Sequence, residues 1–85
     1  MIQVTITEDD PLGQFIDAKA AYTGRNQTDV ASEVVREGFY ALVRDLHEQF
    51  MHGELSQGGM AAHLGIGRVD LIHLLEALDL QVTNL

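Results

Sequence analysis

Residues 2–7 read Ile-Gln-Val-Thr-Ile-Thr, a run in which apolar β-branched residues alternate with polar ones. Successive side chains of a β-strand point to opposite faces, so this period of two predicts a half-buried strand. The apolar face would comprise Ile2, Val4 and Ile6. The face turned outward would comprise Gln3, Thr5 and Thr7. The acidic residues that follow, ending at Pro11, close the strand and predict the start of a helix.

Two helices are expected after the strand. The first begins near Pro11 and stops near Gly24, which can adopt the left-handed conformation of a helix cap. The second covers about residues 27–52, with Asn26 as its N-cap residue and Gly53 at its end. Its apolar side recurs at helical spacing through Ala31, Val34, Val35, Gly38, Phe39, Leu42, Leu46 and Phe50. One short helix cannot cover so long a stripe, so the pattern predicts a partner chain.

A single strand leaves both of its edges unpaired, which two copies of the chain would resolve by forming an antiparallel ribbon. A two-stranded ribbon fits the major groove of B-DNA, where glutamine can bond adenine and threonine can contact thymine. The sequence therefore predicts a mainly α protein whose N-terminal strand pairs across a dimer. The alternation leaves an alternative open, in which the three outward polar residues only solvate the ribbon.

The second half of the chain predicts two shorter helices separated by a turn. A short helix is expected around residues 60–64, a tight turn at Gly65, and an apolar helix over about residues 67–78. The glycine-rich stretch at residues 53–59 is the plausible boundary. It divides the chain into domains 1–52 and 53–85.

Composition excludes several kinds of chemistry. The 85 residues include no cysteine, which rules out disulfides, a thiol nucleophile and a cysteine-ligated zinc site. His47 and His52 lie five residues apart, which is not the spacing of a zinc-binding His-Glu-x-x-His motif. We therefore expect neither an enzyme nor a bound metal or cofactor. The formal charge of −8 opposes non-specific DNA binding and suits a basic protein partner.

The start of the sequence lacks the basic flank and apolar run of a signal peptide. No stretch approaches the roughly 18 apolar residues of a membrane span. A cytoplasmic protein is the expectation.

Residues 2–46 resemble the ribbon-helix-helix transcription factors of the antitoxin type. The resemblance lies in the alternating strand, in Tyr-Thr-Gly-Arg-Asn-Gln-Thr-Asp at the turn between the helices, and in the following Ala-Ser-Glu-Val-Val-Arg-Glu-Gly-Phe. It implies an intertwined homodimer in which Gln3, Thr5 and Thr7 read DNA bases. It also implies that the start of the second helix holds a DNA phosphate. The residues implied there are Arg25, Asn26, Gln27 and Thr28.

Residues 46–82 resemble a small prokaryotic helix-turn-helix family. Its members are often taken as antitoxins and are encoded beside PIN-domain ribonuclease toxins. The matching text is Gly-Glu-Leu-Ser and then Ala-Ala-His-Leu-Gly-Ile-Gly-Arg-Val-Asp-Leu-Ile-His-Leu-Leu-Glu. The resemblance leaves open whether this part reads DNA, with Arg68 as a secondary contact, binds a protein toxin, or only packs. Gly59 and Asp70 depart from what DNA reading needs, because glycine weakens the helix and the carboxylate would face phosphate.

The sequence as a whole predicts a dimeric, antitoxin-like transcriptional repressor. Its N-terminal ribbon would bind an operator, and its C-terminal part would bind a toxin. The alternative is a dimeric protein-interaction adaptor that does not bind DNA, which the scarcity of basic residues favours.

Overall fold

The computed structural model describes residues 2–84 and consists of four α-helices. Their bounds are α1 Pro11–Thr23, α2 Gln27–Met51, α3 Gln57–Leu64 and α4 Arg68–Ala77. The chain forms two compact units, which divide between Gly38 and Phe39. The four helices lie where the sequence predicts them, with ends that differ by a few residues at most.

The predicted ribbon-helix-helix fold is wrong, because the structure is all helical and residues 2–84 contain no β-strand or sheet. A strand is stabilised by backbone hydrogen bonds to a neighbouring strand. Within the described residues no second segment pairs with residues 2–7, which themselves have no regular secondary structure. Ile2 is 91% exposed and Val4 62% exposed, and Ile6 alone of the apolar face is partly buried.

The first unit is organised around a small apolar cluster. Ile16 and Ala20 on α1 pack with Val30 on α2, and Ile6, Ala31 and Val34 cover this cluster in part. Local signals set the ends of α1: the Asp10 carboxylate accepts a hydrogen bond from the Leu12 amide at 2.9 Å. Gly24 then ends the helix with a φ of 66°, a left-handed conformation that favours glycine.

The second unit has the larger apolar core. The C-terminal half of α2 contributes three buried residues, α3 two and α4 two, in the set Val43, Leu46, Phe50, Met60, Ala61, Leu71 and Leu75. The Ser56 hydroxyl caps α3 by accepting a hydrogen bond from the Gly59 amide at 2.9 Å. Gly65, with a φ of 71°, ends α3 and permits the short turn that leads into α4.

Candidate functional site

The residues predicted to read DNA bases lie on the N-terminal segment. Gln3, Thr5 and Thr7 are all exposed. The Thr7 carbonyl accepts a hydrogen bond from the Asp10 amide at 3.1 Å, which turns the chain toward α1. Because this segment forms no ribbon here, the structure supplies no rigid platform that would present the three side chains together to a groove.

The residues predicted to hold a DNA phosphate are close together at the start of α2, but each is bonded within the chain. The Asn26 side chain accepts a hydrogen bond from the Thr28 amide at 2.7 Å, which satisfies one of the amides a phosphate would need. Gln27 donates to an Asp17 carboxylate oxygen at 2.6 Å. The sequence therefore located a real polar cluster, whose bonds join α2 to itself and to α1.

Arg25, the one cation of that predicted set, is paired with Glu33. Its guanidinium lies 2.6 Å from one carboxylate oxygen of Glu33, and the Lys19 ammonium lies 3.0 Å from the other oxygen. Hydrogen bonds from Lys19 and Arg25, together with their positive charges, hold the pKa of Glu33 below its ordinary value. Two of the five basic residues of the chain are thus occupied by one carboxylate.

Arg68, the predicted secondary DNA contact, stands at the first position of α4. Its guanidinium donates to the Gln57 side-chain oxygen at 2.9 Å and remains exposed. Val69 beside it is 65% exposed, and Asp70 is exposed in the same turn. This helix start therefore shows solvent one cation, one apolar side chain and one carboxylate, which is a mixed surface and not a basic one.

The most distinctive surface of the first unit is apolar. Ile2 and Val4 lie near Val35 of α2, which is 48% exposed, and a groove of about 470 Å³ lies among these side chains. Ala31 and Arg36 also line this groove. Side chains this apolar are usually covered in a folded protein, so the groove marks a surface that can take a partner.

The second unit also exposes apolar side chains on α2. Phe39 is 39% exposed, Tyr40 44% and Leu42 52%, and the rings of Phe39 and Tyr40 pack against each other with centroids 5.3 Å apart. Phe39 and Leu42 are three residues apart and share one side of the helix. We call the residues Ile2, Val4, Val35, Phe39 and Leu42 the exposed apolar set.

The histidines do not assemble a metal site in the part of the chain that the structure describes, where no group of three potential ligands is found. His47 instead donates its Nε2 proton to the Gln81 carbonyl at 2.9 Å. The sequence did not predict that Glu33 pairs with two cations, or that His47 contacts the C-terminal tail. Neither has a local signal, because the partners are separated by 8 to 34 residues.

None of the four helices between residues 2 and 84 combines the length and apolar character needed to cross a bilayer. No family model matches the chain, and no curated protein or solved structure matches it.

Proposed function

We propose that the protein is a homodimeric, antitoxin-like regulator that acts in the cytoplasm by binding a protein partner. The exposed apolar set forms the surface between the two copies, and the acidic exterior meets a basic partner. The observation that carries the proposal is the exposure of five large apolar side chains, from 39% at Phe39 to 91% at Ile2.

Energetics favour a second copy as the cover for this set. A chain of this length buries only about 60–65% of its unfolded surface, so its stability as a monomer is marginal. Fully burying a valine, leucine or phenylalanine side chain contributes about 1.5–3 kcal/mol. A twofold interface uses the same residues on both copies, so each of the five side chains is counted twice. Self-association thus stabilises the fold and covers the apolar residues together.

Charge supports a protein partner with a basic surface. The chain has thirteen acidic and five basic residues, and two of the basic ones form ion pairs with Glu33. Complementary charge speeds association and excludes partners of the same sign. The resemblance of residues 46–82 to a family often taken as antitoxins supports a toxin as this partner, a PIN-domain ribonuclease being one candidate.

A matched pair of valine substitutions tests the dimer. Val35→Asp places a charge inside the proposed interface and is expected to weaken dimerisation at least about tenfold, which corresponds to roughly 1.4 kcal/mol. Val69→Asp introduces the same charge at an exposed valine outside the set and is expected to leave the dimer intact. Light scattering after size exclusion measures both, and a dimer that survives Val35→Asp but not Val69→Asp would contradict the proposed surface.

Operator binding is the second candidate function. It is favoured by the exposure of Gln3 and Thr5, and by the start of α4, where Gly67 provides no side-chain cap for the helix amides. The small number of basic residues, five against thirteen acidic ones, weighs against it.

Fluorescence anisotropy with the DNA upstream of the protein's own gene, compared with a scrambled duplex across salt concentrations, tests this candidate. Operator binding predicts preference for the upstream DNA, a shallow salt dependence, and loss of preference in the double variant Gln3→Ala, Thr5→Ala without loss of the dimer. Equal binding to both duplexes, with and without the neighbouring gene product, would exclude a repressor and leave the protein-binding role.

A further inference from the structure

The last described residues of the second unit form a non-helical tail, Leu80–Asn84, that packs on the outside of its core. Leu80 and Val82 are partly buried against the apolar cluster, whereas Gln81 between them is exposed. This spacing of two puts alternate side chains on the core and in solvent, as in a bound peptide. The tail therefore contacts the unit through two apolar anchors.

Polar side chains of the unit hold the tail by its backbone. His47 Nε2 donates to the Gln81 carbonyl at 2.9 Å, and Gln57 Nε2 donates to the Val82 carbonyl at 3.1 Å. In return Asn84 Nδ2 donates to the Phe50 carbonyl at 3.3 Å. Bonds to carbonyls do not depend on the identity of the residue that carries them, so His47 and Gln57 would hold another peptide equally well.

The junction between α4 and the tail has an unfavourable backbone conformation. Asp79 has a φ of 57°, and it is the one non-glycine residue with a positive φ within residues 2–84. The left-handed conformation is less favourable for a residue with a side chain than for glycine, although aspartate adopts it more readily than most. The Leu80 amide reaches back to the Leu75 carbonyl at 2.8 Å to close this turn. The conformation of Asp79 therefore offsets part of the free energy that is gained when the tail docks.

The tail also leaves space beside its first anchor. A cavity of about 160 Å³ lies next to Leu80, lined further by Tyr40, Val43, Arg44 and Leu78. Leu80 leaves this space open, and we expect a phenylalanine at the same position to fill more of it, on the side lined by Tyr40.

We propose that His47, Gln57 and the apolar core surface beneath Leu80 and Val82 form a peptide-binding groove. The tail of the same chain occupies this groove, and a peptide from a partner can displace it. The occupant that displaces the tail is a segment of the protein partner with an aromatic residue at the Leu80 position and an aliphatic residue two positions later. This inference rests on the proposed protein-binding role, since it identifies where the partner binds. Displacement of the tail by such a segment makes binding competitive with an intramolecular contact.

A peptide competition experiment on the full chain tests the groove. The probe is a fluorescent peptide of residues 79–84, made with its natural sequence and with Leu80→Phe. The receptor is the full chain carrying Leu80→Asp and Val82→Asp, which drives its own tail off the apolar surface. We expect the Leu80→Phe peptide, called the Phe peptide below, to bind this receptor at least tenfold more tightly than it binds the natural chain. We also expect this receptor to bind the Phe peptide more tightly than it binds the natural peptide. Adding His47→Ala and Gln57→Ala to the receptor is expected to weaken binding by a further factor of about ten.

A second measurement covers the case in which the receptor variant unfolds. Amide hydrogen exchange of the natural chain, with an excess of the Phe peptide, should show loss of protection at Leu80 while α3 and α4 stay protected. Absence of binding to a folded receptor, or unchanged protection at Leu80 under saturating peptide, would overturn the proposal. A natural peptide that outcompetes the Phe peptide would also overturn it, because the cavity would then not accept the larger side chain. None of these readouts requires a dimer or a native partner, so this groove and the proposed function can fail separately.

Discussion

Glu33 shows how a single carboxylate can determine what a cationic surface is able to bind. It contacts the Lys19 ammonium and the Arg25 guanidinium at 3.0 and 2.6 Å, and so joins α1 and the interhelical turn to α2. The same contacts pair the arginine that lies beside the predicted phosphate site with a carboxylate. The residue therefore stabilises the first unit while it lowers the affinity of this surface for anions.

Replacing Glu33 by Gln should lower stability at neutral pH and have progressively less effect in acid. Because the pKa of Glu33 is lowered in the folded state, its contribution is present above its ordinary value of 4.5 and is lost as the pH falls through the lowered value. Thermal unfolding from neutral pH into this acidic range measures the difference in stability between Glu33→Gln and the natural chain. The matched control is Glu37→Gln, which removes the same charge from α2 without touching these ion pairs. A Glu33→Gln deficit that stays constant from neutral pH to strong acid would contradict this role.

At the scale of elements, Gly13 fixes the N-terminal segment to α1. A Cβ at this position would collide with the Thr7 carbonyl oxygen and approach the Ile6 side chain. Gly13 is buried for this reason, and it allows residues 6 and 7 to lie directly on the helix. The contact sets where Ile6 joins the small cluster of the first unit.

Gly13→Ala is expected to lift the N-terminal segment from α1 without melting the helix. Alanine favours the helix by up to about 1 kcal/mol over glycine, so helical content should hold while the Asp10 amide loses its bond to Thr7 and exchanges faster. Gly58→Ala is the control, since a Cβ there meets only ordinary van der Waals contacts. Hydrogen exchange separates the two variants, and an unchanged Asp10 amide in Gly13→Ala would show that the segment tolerates the methyl group.

The helices were predictable because their signals are local. Pro11, Gly24 and Gly65 set helix ends through the conformations they allow, and α2 is visible in its long apolar stripe. The strand prediction was wrong because alternation reports only which side chains share a face, whereas a strand also needs a neighbour to bond. The contacts of Glu33 and His47 could not be predicted, because they join residues whose proximity is created by the fold itself.

At the scale of the whole molecule, two properties define what the protein can do. Its exterior is strongly acidic, and several of its largest apolar side chains are exposed, with Ile2 at 91% and Leu42 at 52%. An acidic exterior maintains solubility and repels nucleic acid, while the exposed apolar side chains favour association with protein. Both properties support the proposal of a protein-binding homodimer.

Sedimentation equilibrium of the natural chain, over concentrations from low to high micromolar, tests the central claim of self-association most directly. The proposed interface predicts a mass of twice 9.4 kDa that dissociates only toward the low end of the range. It further predicts that Leu42→Asp shifts this dissociation to higher concentration by at least about tenfold. A mass of 9.4 kDa at every concentration would contradict the account, because the exposed apolar set would then remain uncovered in solution.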